Sequence, residues 1–146
     1  MSTGSLSEMR AQIVQWLVDS GLGLRSVDRV SLWQSQPRQL AHKAIAVTLP
    51  ETVIPGPALA RTDLPARDTL DVQCVYRIRP HQQQSSVDEA LDLESQIIQR
   101  LTTNSGQFYR LDYLRTRRSP HPQTSEYYLL RMTFRVYARQ ILLGES

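Results

Sequence analysis

Arg131, Arg135 and Arg139 fall at every fourth position of a segment, 126–139, in which apolar and polar residues alternate. Arginine carries a planar, permanently charged fork of donors that grips carboxylates and phosphates two bonds at a time. A row of such groups along one side of a strand is chemistry for an anionic partner or for contact with another subunit. Arg77 and Arg79, at the end of an earlier alternating segment, extend the set. Arg110, Arg115, Arg117 and Arg118, interleaved with Tyr109 and Tyr113, combine phosphate neutralisation with base stacking. The two tyrosines alternate as core-facing residues do, and the glycine-aromatic motif of RNA-binding sheets is absent, so assembly and nucleic-acid binding both stay open.

Residue types that serve catalysis occur without a catalytic pattern. His42, His81 and His121 stand alone, with no second His or Cys at ligand spacing, and each is expected at the surface. Asp63, Asp68 and Asp71 lie close together in sequence but lack a neighbouring lysine or histidine to complete a nuclease-like set, so all three are expected to be solvated. No glycine-rich phosphate loop follows a strand. No catalytic, cofactor or metal residue is assigned, no cofactor is expected, and the chain is not expected to be an enzyme.

The arginine row needs a strand to present it. Tyr128, Leu130, Met132, Phe134, Val136 and Ala138 alternate with Arg131, Thr133, Arg135, Tyr137 and Arg139, which is the period of a half-buried strand. At about fourteen residues it exceeds the usual five or six, so part of it is expected to project beyond its own domain. Leu70, Val72, Cys74, Tyr76 and Ile78 repeat the pattern, and Tyr109, Leu111 and Tyr113 give a third strand within 108–117. Val30 with Leu32, and Ile45, Val47 and Leu49 up to Pro50, give two shorter ones.

Two helices complete the set. Ser5 with Glu8 can form a capping box, after which Met9, Ile13, Trp16 and Leu17 share a face until Gly21 and Gly23 stop the helix. Ser86 with Glu89 marks a second start, with an apolar stripe of Val87, Ala90, Leu91, Ile97, Ile98 and Leu101. The expected fold is α+β: two amphipathic helices on one face of a mostly antiparallel sheet of four or five strands, the other face bare. Residues 50–69 carry Pro50, Pro55, Gly56, Pro57 and Pro65 and read as a long loop. Its apolar Val53, Ile54, Leu59 and Leu64 are groups that a solvated linker would not need, and they suggest a partner-docking arm.

Composition fits this plan. A chain of 146 residues, 40% apolar and 21% charged, is expected to form one domain, 1–146, with a flexible tail at 140–146. No apolar run approaches the roughly 18 residues that cross a bilayer, so no membrane partner is expected. The start of the chain lacks a signal-peptide pattern, and a cytosolic origin is expected. The lone Cys74 reads as a small core residue. Residues 100–146 hold eight Arg against three acids, a balance of +5, while the preceding 99 residues balance at −2, so the basic half is the half with the long strand.

The order and size of these elements resemble the tail terminator proteins of long-tailed bacteriophages. The likeness covers about Ser5 to Gln140: an amphipathic helix, two short strands, a proline-bearing loop, a strand, a helix opening Ser86-Val87-Asp88-Glu89-Ala90, and a hairpin ending in a long tyrosine- and arginine-bearing strand. It lies in layout, not in a motif. The resemblance implies a homo-oligomeric, hexameric ring at the head-proximal end of the tail tube. Such a ring stops tube polymerisation, is assembled in the host cytoplasm, and meets the tail tube protein on one side and the head-tail connector or stopper on the other. Phage DNA would pass through its lumen. Arg131, Arg135, Arg139, Arg77 and Arg79 then become subunit or lumen contacts, and Val53, Ile54, Leu59 and Leu64 the docking loop. Another neck or connector protein, or a small basic nucleic-acid-binding module, is the alternative.

Overall fold

A computed structural model describes residues 6–53, 67–103 and 109–138. In chain order the elements are α1 (Leu6–Val18), β1 (Arg25–Ser26), a short 3-10 turn (Pro37–Gln39), β2 (Ala44–Val53), β3 (Arg67–Arg77), α2 (Gln83–Thr103), β4 (Tyr109–His121) and β5 (Thr124–Ala138). The five strands form one sheet in the order β1-β2-β3-β5-β4, antiparallel except where β1 runs parallel to β2. The fold is α+β, as the alternation of strands and amphipathic helices requires.

Both helices cover the same sheet face. Met9, Ile13 and Leu17 of α1 and Ala90, Leu93, Ile97 and Leu101 of α2 pack on Ile45, Val47, Leu70, Val72, Cys74, Leu130, Met132, Phe134 and Val136 in one core. Residues two apart on a strand share a face, so each strand contributes a single parity to it. Phe134, fully buried, meets the ring of Tyr113 edge to face at 5.8 Å. Gly21 and Gly23 adopt φ of 84° and 79° just beyond α1, conformations that stop a helix at little cost only for glycine.

The opposite sheet face is not bare. Residues 27–41 cross it, and Leu32 and Leu40 join Ala44, Ala46, Val75 and Leu129 in a second cluster, with Trp33 packed alongside. Val30 and Leu32 therefore form no strand: Val30 is 75% exposed and Leu32 fully buried. The side chain of Gln73 takes the place of a ladder, its Oε1 accepting from the backbone N–H of Leu32 at 2.7 Å. The parallel strand falls earlier, at Arg25–Ser26.

Three further expectations change. β5 does not overhang its domain: it pairs with β3 from Tyr127 to Tyr137 and with β4 from Thr124 to Ala138. Pro50 does not end β2, which continues to Val53 through a register shift between Thr48 and Glu51. A bulge accommodates a residue that lacks an N–H, and with β1 opposite Ala44 and Ile45 this part of β2 is an edge among the described residues. Helix α2 begins at Gln83, so Ser86 is not its cap; the Ser86 hydroxyl accepts from the Arg79 N–H at 3.0 Å and donates to the Gln82 carbonyl at 2.8 Å.

Candidate functional site

The arginines gather on the face that the helices leave open, and a β-bulge puts them there. Tyr113 lies opposite Phe134, yet Arg115 lies opposite Thr133, so the extra residue Leu114 inverts the facing of everything after it. Without the bulge Arg115 and Arg117 would follow Tyr113 toward the core. With it, Arg117 lies opposite Arg131, and both belong to the open face. Arg118 is turned to the helix side, where its Nε and Nη2 donate to the two carboxylate oxygens of Glu94 at 2.7 and 2.8 Å. Glu94 is only 5% exposed, so this fork supplies the counter-charge its burial demands.

At the centre of the open face Asp71 is buried, contrary to its expected solvation. Arg131 donates to its Oδ2 from Nε at 2.9 Å and from Nη2 at 2.6 Å, and the Thr133 hydroxyl donates to its Oδ1 at 2.9 Å. Arg131 is thus a structural counter-ion first. Arg117, across the strand pair, has no ion pair among the described residues. Arg135, half-buried, lies opposite Thr69 on β3 and Asp112 on β4.

An open hollow of about 460 Å³ is lined by Trp33, Arg117, Arg118, Ser119 and Arg131. The Trp33 indole N–H donates to the Ser119 hydroxyl at 3.2 Å, which ties the covering segment to β4. His121 helps hold the same segment. It is buried, not at the surface as expected; its Nε2 donates to the Ser35 carbonyl at 2.8 Å and its Nδ1 accepts from the Gln123 N–H at 3.0 Å, which fixes the neutral tautomer.

The remaining expected site residues disperse. Arg79 belongs to the helix side, where Nη1 and Nη2 donate to Glu89 at 2.9 Å each. The Tyr76 hydroxyl donates to the same carboxylate at 2.8 Å, so Arg79 and Tyr76 together hold the Glu89 carboxyl down to about 2. Arg77 ends β3, exposed, and its N–H donates to Nδ1 of His42 at 3.1 Å. Burial first, then the charges of Lys43, Arg25 and Arg77, lower the pKa of His42. Val53 ends β2 opposite Arg67, while Arg139, Ile54, Leu59, Leu64 and the segment 140–146 lie outside the described residues. Cys74 is fully buried and its thiol is pushed up to about 12 by desolvation. Among the described residues no three His, Cys, Asp or Glu side chains are grouped to hold a metal ion, and no helix is long and apolar enough to cross a membrane.

Sequence reasoning missed Trp33, Arg117 with Arg131 as a cross-strand pair, and the buried Asp71. A bulge has no dependable sequence signal. Glycine often marks one, and here the bulged residue is Leu114.

The edges of the sheet differ. β2 is shielded by β1 over Ala44 and Ile45, and Arg10 of α1 donates from Nε to the Val47 carbonyl at 2.6 Å. β4 is 13 residues long, with β5 on one side and no strand on the other among the described residues. It carries Arg115, Arg117 and Arg118, the bulge and Pro120, all features that discourage indiscriminate strand addition. No protein-family model matches the chain, and no curated protein matches it.

Proposed function

We propose that the protein is a structural component of a bacteriophage virion, a tail terminator that closes into a ring at the head-proximal end of the tail tube. There it halts tube polymerisation and presents a docking surface to the connector or stopper on the head side. The observation that carries this reading is the open edge of β4. Among the described residues this edge of 13 residues has no strand partner within the monomer, whereas repetition about an axis gives each edge a neighbour. The contact is heterologous, one surface meeting a different one, and closure of the rotation makes it a ring and not a filament.

The order of elements, with two helices on one sheet face and a hairpin at the end, supports the family resemblance. The arginine contacts are redistributed relative to the sequence expectation. Arg131 and Arg79 are engaged within the subunit, so Arg115, Arg117 and Arg135 are the groups placed to meet a neighbour or the lumen, with Arg77 and Arg139 as further contributors. Val53, Ile54, Leu59 and Leu64 form the docking arm toward an adjoining ring. Polymerising tail tube protein in the presence of increasing amounts of this chain tests the reading. Tubes of restricted length bearing density at one end are expected; tubes that lengthen as if nothing had been added contradict it.

A further inference from the structure

Arg117 and Arg131 lie directly opposite each other on β4 and β5. Like charges in that position oppose folding, and among the described residues Arg131 alone of the two has a carboxylate to offset it. Two of its nitrogens are committed to Asp71, which leaves Nη1 without a bond to that acid. Arg117 adds a full set of donors, and among the described residues none is in an ion pair. The hollow beside them therefore holds an excess of positive charge that a bound anion would relieve.

Its other walls are Trp33, Ser119 and Arg118, the last with its charge committed to Glu94. The indole N–H is already given to Ser119, so what Trp33 offers to the hollow is ring surface. Packing against the second core cluster and the bond to Ser119 hold the indole in place before any ligand arrives. A volume of about 460 Å³ lies within the roughly 300–1,000 Å³ of small-ligand sites. Two guanidinium groups beside an aromatic plane match a ligand that carries a phosphate and a flat base within one unit. A run of carboxylates would satisfy the arginines and leave the indole unused.

We propose that this hollow is a nucleotide-binding site, with Arg117 and Arg131 taking the phosphate and Trp33 stacking on the base, and that it engages single-stranded nucleic acid. The site is complete within one subunit and does not depend on ring formation.

The test uses full-length protein carrying Trp16→Phe, which leaves Trp33 as the sole tryptophan. Its fluorescence is followed on titration with a ten-residue oligothymidylate, with thymidine monophosphate and with a ten-residue glutamate peptide. The expected result is quenching by the oligonucleotide. Arg117→Ala should weaken binding and reduce the slope of log affinity against log salt by about 0.7. Trp33→Leu, which leaves no tryptophan in that background and is therefore followed by the anisotropy of a dye-labelled oligothymidylate, should weaken it about five-fold or more. Arg117→Ala removes one member of a like-charged pair and so keeps the fold, which its melting curve checks; that variant and the quenching carry the test even if Trp33→Leu does not fold. Quenching by the monophosphate as well would identify free nucleotides as ligands of the same site, and quenching by the oligonucleotide alone would identify the polymer. Unchanged Trp33 emission with the oligonucleotide, affinity unaltered by Arg117→Ala, or quenching by the glutamate peptide alone would overturn the proposal.

Discussion

Arg131 and Asp71 form a hydrogen-bonded ion pair across β5 and β3, two guanidinium nitrogens meeting one carboxylate oxygen at 2.9 and 2.6 Å. The Asp71 side chain is 3% exposed and that of Arg131 is 43% exposed, so the pair straddles the boundary between sheet and solvent. Removing the arginine leaves a carboxylate without its counter-charge where water barely reaches. Loss of one partner of a fully buried pair costs roughly 3–5 kcal/mol, and the exposure of Arg131 lowers the expectation for Arg131→Ala to about 2–3 kcal/mol. Arg131→Glu should cost more, because it sets a second carboxylate beside the first. Arg135→Glu, opposite the half-buried Asp112, should cost less than either. Urea denaturation midpoints at constant slope measure all three; an Arg131→Ala midpoint equal to that of the unmodified protein would show the pair to be dispensable.

The thiol of Cys74 is fully buried and pushed up to about 12, so both access and thiolate fraction are suppressed. A disulfide reagent at pH 8 should leave the native protein unmodified and react with one thiol per chain once urea unfolds it. Labelling at the rate of a free thiol in native buffer would mean that β3 opens readily.

The strands and helix stripes that face the main core were legible because one face was covered over the whole element. Leu70, Val72, Cys74 and Tyr76, or Ala90, Ile97 and Leu101, could not be placed otherwise. What could not be read depended on distant partners. Leu32 gives up its place in a strand because Gln73, 41 residues away, takes its N–H. Ser86 and Glu89 form no capping box because the helix has already begun at Gln83, where the loop before it is tied by the Arg79 N–H to the Ser86 hydroxyl, and the Glu89 carboxylate is held by Arg79 and Tyr76. The arginine surface was legible in composition and misassigned in membership: the bulge at Leu114 brings in Arg115 and Arg117, while Arg79 turns away to the helix side.

Acid should destabilise the protein in two steps. His42 has a folded pKa below 6.5, so protonation favours the unfolded chain and stability falls as pH drops below about 6.5. Glu89 has a folded pKa of about 2 against 4.5 when free of its partners. Its contribution is complete above pH 4.5 and is lost as pH falls through about 2. Both side chains meet solvent, so the effects are modest. Melting temperatures from pH 8 to 2 should show Glu89→Gln flattening the lower step and His42→Gln the upper one; unchanged profiles would contradict these assignments.

Arg117→Glu replaces a like-charged cross-strand neighbour of Arg131 with an opposite one. The isolated protein should gain stability, by at most about 1 kcal/mol at so exposed a site. The gain should shrink in high salt. A loss of stability in thermal melts would mean that Arg117 makes a favourable contact with the rest of the chain.

The most direct test of the central claim is the mass and shape of the particle. Native mass measurement with negative-stain imaging, on the protein alone and mixed with tail tube, separates ring, dimer and monomer in one experiment. The account predicts rings, hexameric by the family resemblance, either free or seated on one end of each tube. A monomer that neither forms rings nor binds tube ends would contradict it.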